Sequence, residues 1–436
     1  MFRLTFYSFL LISLIILMPT QAKSEQEVKH TREDLLQLQD AISEALNSNP
    51  GLARVGTEAK ALAQKPSQAE SLPDPYLSLN ARNLPTDTFN LEQEPMTQLQ
   101  VGIMQAFPFP GKLALKRETA QFQAQAAEKS VSEMRLSLIR QVKTRWWAIF
   151  KHDMALEIIG QNKTLLTQFV EIAQTKYKVG KGLQQDVLLA QLELSKLLDL
   201  EITLHAKRRK AEASLNGLLN RPTDQGIQLP KTVSETLPPV PNEKRLLQDY
   251  KKDRPLLAAV KDRIFAARSR LDLAKKGYEP DFKLGAVYGY RGGQNPGRGD
   301  RSDFVSLLFS MNLPIYGKNK QSKAIDQRLD ELTATRWALA DQQKQIEAEI
   351  SSALASYRQL SAQVSLFKTG IIPQAKQTVA SMLSGYQVNK VDFLNLVRAQ
   401  LTLYNFEIQY WKTLSEANMT LAQLAHVVGK EQINAK

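Results

Sequence analysis

The chain has 436 residues, 43% of them hydrophobic, with a formal net charge of +13 and a sequence pI near 9.5. It contains no cysteine, which excludes disulfides, thiolate metal sites and a lipid-modified N-terminal cysteine. Histidines occur only at His30, His152, His205 and His426, with no His-x-x-x-His pattern, no nucleophile elbow and no nucleotide-binding loop, so no catalytic centre, metal site or cofactor site is expected.

At the N-terminus Arg3 precedes an apolar run from Leu4 to Met18, and Pro19-Thr20-Gln21-Ala22 follows with small residues three and one before a cut after Ala22. This predicts a secretory signal over residues 1–22 and a mature chain starting at Lys23. The apolar run falls short of the roughly 20 residues that a spanning helix needs. An exported chain of this charge is expected to favour acidic surfaces such as lipopolysaccharide, and export argues against nucleic acid as a partner.

Next come two stretches of period two, Leu77-Ser78-Leu79-Asn80-Ala81-Arg82 and Gln98-Leu99-Gln100-Val101-Gly102-Ile103. They predict strands over about 76–83 and 97–107, joined by a polar loop from Asn83 to Met96. Pro108, Pro110 and Gly111 end the second strand and turn the chain into a helix. No proline follows until Pro222, and Val131, Met134, Leu138, Val142, Trp146 and Ile149 recur at spacings of three and four. One helix from Leu113 to Val179 would reach roughly 100 Å at about 1.5 Å per residue. Gly180 and Gly182 break it, and a second helix carrying Val187, Ala190, Leu194 and Leu197 returns, giving a hairpin over about 113–220. Within it Lys207-Arg208-Arg209-Lys210 is expected on a solvated face.

Pro230, Pro238, Pro239 and Pro241 mark a linker over 229–245. Beyond it the first unit, 23–228, recurs as a second, 246–429, followed by a tail over 430–436. Pro73-Asp74 answers Pro280-Asp281, Phe107-Pro108-Phe109-Pro110-Gly111-Lys112 answers Leu313-Pro314-Ile315-Tyr316-Gly317-Lys318, and Tyr177-Lys178-Val179 answers Tyr386-Gln387-Val388. The offsets stay between 205 and 209, the mark of a tandem duplication. Strands are therefore expected over about 281–290 and 303–313, a joint at Pro314 and Gly317, and a hairpin over about 319–427. That hairpin turns at Val388-Asn389-Lys390, where Asn389 takes the place of Gly180 because asparagine best tolerates left-handed geometry after glycine.

Alternation with aromatic residues near the strand ends fits membrane-spanning strands, and it fits a half-buried soluble sheet equally well. Four strands cannot close a barrel, because the smallest membrane barrels use about eight and each unpaired backbone group in lipid costs several kcal/mol. If these strands span a membrane, chains must associate.

The ordered set of motifs resembles the TolC-like outer membrane efflux family from about Thr31 to Gly429. It includes Ala41-Ile42-x-x-Ala45-Leu46-x-x-Asn49-Pro50, both strand-to-helix joints, both Tyr-x-Val tips, and the returns Ala190-Gln191-Leu192 and Ala399-Gln400-Leu401. Gln105 to Lys112 preceded by Glu94-Pro95-Met96-Thr97, and Ile372-Pro373-Gln374-Ala375 ahead of Gly385-Tyr386, resemble the branch serving heavy-metal cation pumps. The resemblance implies a mainly α fold with a small β-barrel contribution. Each chain would carry a duplicated helix-strand-strand-helix unit, and a homotrimer would close a twelve-stranded barrel in the outer membrane of a Gram-negative bacterium. Long helices would continue it as a periplasmic tunnel.

The resemblance also implies the partners: a periplasmic adaptor protein, an inner-membrane pump of the resistance-nodulation-division type, and outer-membrane lipid. It assigns adaptor contact at the periplasmic tip to Tyr177, Val179, Gly180, Gly182, Asp186, Tyr386, Val388, Asn389 and Asp392. Some members carry carboxylates on the inner face of the second tip; Asn395 and Arg398 stand there in this chain, with Asp186 the first-copy counterpart of Asn395, so a purely acidic gate is not expected. Asp186 reads equally well as a helix cap. His152-Asp153 reads as a weak cation site or a helix-surface pair, and Met96, Met104, Met134 and Met154 as packing residues rather than a copper cluster. The expected function is an exit duct without energy supply or catalysis. The other readings are a duct for drugs or secreted polypeptides, and a periplasmic coiled-coil scaffold outside any membrane.

Overall fold

The computed structural model describes residues 35–297 and 299–433. The expected signal over 1–22, the start at Lys23 and His30 lie outside them. Three short helices, α1 (Leu38–Ser48), α2 (Pro50–Ala63) and α3 (Lys65–Glu70), lead into β1 (Tyr76–Arg82) and β2 (Gln98–Phe107). The first hairpin follows as α4 (Lys112–Lys178) and α5 (Gln184–Leu219). After extended chain, α6 (Glu243–Asp253) and α7 (Pro255–Lys275) lead into β3 (Phe282–Tyr290) and β4 (Phe304–Met311). The second hairpin consists of α8 (Gln321–Leu366), a π-helical turn (Phe367–Ile371), α9 (Ile372–Gln387) and α10 (Phe393–Val428).

The strands form one antiparallel sheet in the order β1-β2-β3-β4. Its register aligns Leu79 with Val101, Val101 with Tyr288, and Tyr288 with Val305, so one face carries a row of apolar side chains. These are bare: Leu79 is 72% exposed, and Leu307 on the β4 edge 85%. Among the described residues no helix is long and apolar enough to cross a membrane.

Helix α4 is 67 residues long and uninterrupted, as the proline-free sequence predicts. Midway along, Trp146, Ile149 and Phe150 pack with Ala41 and Ala45 of α1 and Leu215 and Leu219 of α5. Trp146 and Phe150 stack at 5.6 Å, and the Trp146 indole donates to the Leu36 carbonyl at 2.9 Å, satisfying its one polar atom inside the core. Further toward the tip Leu166, Phe169, Ala190 and Leu197 pack against Phe393 and Leu396 of α10, so the two hairpins share a core. A third core gathers Tyr250, Leu257, Ile346, Ile350, Leu424 and Val428.

The first rod of the hairpin expected over about 319–427 is not one continuous helix. Pro373 has no N–H to give the Thr369 carbonyl four residues back, and its ring crowds that carbonyl. The backbone responds with the π-helical turn, in which the Ile372 N–H reaches the Phe367 carbonyl five residues back. Among Lys207 to Lys210, Arg208 departs from the solvated face. It turns inward to Asp153, Glu212 and the Ile227 carbonyl, fastening the extended chain to the first hairpin.

Candidate functional site

The two helical turns at the far end from the sheet are built alike. In the first, the Gly180 N–H donates to the Tyr177 carbonyl at 3.0 Å and the Lys181 N–H to the Lys176 carbonyl at 2.8 Å. In the second, the Asn389 N–H donates to the Tyr386 carbonyl at 3.1 Å and the Lys390 N–H to the Gly385 carbonyl at 2.8 Å. Both pairs have the bonding of a Schellman cap, which needs one residue in left-handed geometry. Gly180 supplies it at φ +69° and Asn389 at φ +56°. Gly182 is small for a different reason: a Cβ there would stand 2.9 Å from Lys176 Cβ.

The expected tip residues come together here, with Val179 and Val388 each 62% exposed and Tyr177 48% exposed. Tyr386 is the exception, being buried beside Phe393 at 5.4 Å between ring centroids. Burial raises its hydroxyl pKa, and the negative charge of Asp186 adds to the shift. The capping reading of Asp186 is corrected: Leu183 occupies the cap position of α5, and Asp186 lies in the first helical turn, where its charge favours the helix dipole. Asp392 occupies the cap position of α10 without a side-chain cap bond. Asn395 and Arg398 are exposed on α10 and do not contact Asp186 by any hydrogen bond or ion pair among the described residues.

Sequence reasoning missed the residue that joins the tips. Lys176 Nζ donates to the Asn389 side-chain oxygen at 2.9 Å and to the Tyr386 carbonyl at 3.2 Å, and it sits 3.9 Å from the Tyr386 ring centroid. The ammonium thus meets the negative end of α9, an amide dipole and an aromatic face together. Farther in, the buried amides of Gln400 and Asn162 bond at 2.6 Å across α10 and α4. Near the π-helical turn, Glu235 of the extended chain accepts from Lys368 Nζ and from the Tyr410 hydroxyl, both at 2.6 Å. Lys176 carried no signal beyond its place two residues from a turn; the break at Pro373 was visible as a proline within a helical pattern.

At the other end of the rods lie the strand-to-helix joints. Pro108 and Pro110 bring the chain off β2, and Gly111 enters α4 at φ +89°. Pro314 and Gly317 do the same after β4, but Gly317 keeps an ordinary φ. It is small because a Cβ would stand 3.1 Å from the Tyr278 ring. Lys112, nearly buried, donates to the Asp281 carboxylate and the Glu279 carbonyl, both at 2.8 Å, and the Phe109 N–H donates to the same carboxylate.

Among the described residues no group of three or more histidines and carboxylates stands where it could hold a metal ion. The expected His152-Asp153 pairing gives way to the Asp153–Arg208 ion pair. Burial, with the nearby cations of Lys151, Lys207 and Arg208, pushes the His152 pKa down to about 4. At neutral pH this imidazole is uncharged.

Long paired helical rods below a small sheet with two open edges define a channel-forming outer-membrane protein, and the chain belongs to the outer membrane efflux protein family, which matches residues 41–221 and 246–430. It is 21% identical over 403 residues to the cobalt-zinc-cadmium resistance protein CzcC of Cupriavidus metallidurans, covering 91% of this chain and 90% of that protein. Its fold is similar to that of CusC, with a TM-score of 0.76 at 16% identity, covering 90% of this chain and 92% of CusC. The open-state MtrE outer membrane channel of Neisseria gonorrhoeae gives a TM-score of 0.73 at 17% identity, covering 92% and 90%. The protein is thus an outer-membrane efflux channel of the kind that serves tripartite systems.

Proposed function

We propose that three copies of this chain form a passive exit duct through which an inner-membrane pump of the resistance-nodulation-division type, joined by a periplasmic adaptor, expels heavy-metal cations. The observation that carries the duct is the sheet. Its bare apolar face and its unpaired β1 and β4 edges are satisfied together when three sheets close into twelve strands in lipid. The similarity to CzcC over most of both chains supports the metal reading. The paired tips, with exposed Tyr177, Val179 and Val388, form the surface offered to the adaptor.

The tip opens by movement of the second hairpin. The segment before its turn, α9, buries only Tyr386 among the described residues, and Lys176 holds that residue's end against the first hairpin. Adaptor binding that favours the released position shifts the equilibrium toward an open mouth.

A strain lacking the gene, challenged separately with cobalt, zinc, cadmium, copper, silver and several drugs, tests the substrate. Hypersensitivity confined to one set of metals is expected. Hypersensitivity to drugs alone would overturn the metal reading, and a soluble periplasmic monomer on fractionation would overturn the duct.

A further inference from the structure

The joint between β2 and α4 is built from both copies of the repeat. Lys112 follows the strand of the first copy, and Asp281 precedes the strand of the second; their ion pair at 2.8 Å locks β2 beside β3. The duplication gives each of these residues a counterpart. Lys318 stands in the Pro-x-x-Gly-Lys joint after β4, as Lys112 does after β2, and Asp74 stands in the Pro-Asp step before β1, as Asp281 does before β3. Yet within one chain the counterparts do not meet. β1 and β4 are the opposite edges of the sheet, and both Lys318 and Asp74 are exposed, with no hydrogen bond or ion pair among the described residues.

We infer that Lys318 of one copy donates to the carboxylate of Asp74 of the partner subunit, so that each seam between subunits repeats the joint that each chain already makes within itself. This rests on the duct reading, which brings β4 beside the β1 edge of the next copy. It also fixes the register there. Carrying the β2–β3 alignment across the duplication sets Met311 opposite the partner subunit's Leu77 and Phe309 opposite the partner subunit's Leu79. All four residues are exposed and apolar, as a row facing lipid requires: Leu77 71%, Leu79 72%, Phe309 63% and Met311 49%. A slip of one residue would place each of them opposite a residue of the other face.

The seam is not a perfect copy. Ile315, in the place of Phe109, gives its N–H to the Leu313 carbonyl at 2.9 Å, so the lysine alone carries the contact. Lys112 also caps the Glu279 carbonyl, whereas the residue before Pro73 is Leu72, and its carbonyl is the matching acceptor for Lys318.

The absence of native cysteine makes the test direct in full-length protein in the outer membrane. A bifunctional maleimide that spans the reach of a lysine–carboxylate pair is expected to join the Asp74→Cys/Lys318→Cys variant into covalent dimers and trimers on denaturing gels, and either single variant should stay monomeric there. Lys318→Glu and Asp74→Lys should each lower the dissociation temperature of the native trimer, by about 1–2 °C for a chain of this length. The double charge swap, Lys318→Glu with Asp74→Lys, should restore it. A second pair, Leu79→Cys with Phe309→Cys, should crosslink between subunits, which reads the register independently of the charges. Trimers that form normally while neither pair crosslinks and the swap rescues nothing would overturn the seam and leave the duct standing. A native chain that never forms trimers would overturn both.

Discussion

The two hairpins occupy the same length of sequence: Lys112 and Gln321 begin them, Lys178 and Gln387 end their first rods, and all are offset by 209 residues. The first rod is one helix with a buried stripe from Ala120 to Ala173, whereas the second is broken by the π-helical turn and its last 16 residues bury only Tyr386. Equal elements thus carry unequal duties. Helix α10 shares an apolar core with the first hairpin, whereas α9 buries one residue and meets the first tip through the polar clasp at Lys176. Contacts that are few and polar open at lower cost than a packed apolar face, which makes α9 the segment of the second hairpin suited to move.

That contrast can be broken at several points. The largest effect is expected from tying the tips together: Lys176→Cys with Asn389→Cys, bridged in the membrane by a bifunctional thiol reagent that forms reducible disulfides, should abolish efflux, and reductant should restore it. Undiminished transport in the bridged protein would show that the mouth opens without the second hairpin. Next, Phe150→Ala should cost about 3–5 kcal/mol, the usual range for emptying an aromatic core position. In thermal unfolding this loss should far exceed that from Met382→Ala on α9, and similar losses would erase the difference between the hairpins. Third, Asn162→Leu should cost about 1–3 kcal/mol by stranding the buried Gln400 amide, while Asn162→Leu with Gln400→Leu should recover most of it. A double variant as unstable as the single one would show that the pair is not coupled.

The smallest effect concerns pH. Because the folded His152 pKa is held near 4, below the ordinary value of 6.5, the unfolded chain takes up the proton first as pH falls. This group's contribution is complete above pH 6.5 and is lost as pH drops from there toward 4. A melting temperature that falls over this window less steeply in His152→Asn than in the native chain is the expected result; identical slopes would remove His152 from the account.

The sequence made the repeat, the strands, the joints and the tip turns legible, because each rests on local chemistry. Proline and glycine punctuate, alternation marks a strand, and a left-handed cap demands Gly180 or Asn389. Gly317 stands at the same kind of joint as Gly111 without a positive φ; what it avoids is the ring of Tyr278, a residue 39 positions away. Lys176, Asn162 with Gln400, and Asp153 with Arg208 were not legible at all, since each pairing joins residues from different elements and leaves no periodic trace. The same holds for Arg254, whose nearly buried guanidinium bonds Glu133 of α4 and the His426 carbonyl of α10 at the start of α7.

The shared offset of 209 residues has a consequence for how such a molecule changes over generations. Every residue added to a rod lengthens it by about 1.5 Å and turns everything beyond it by roughly 100°. An insertion in α4 alone would leave Lys176 a step past Asn389, with its side chain swung to the wrong side. Inheritance can therefore alter the reach of this protein across the periplasm only by near-whole pairs of turns, made in both copies and in both arms of each hairpin. Its length behaves as one character written four times.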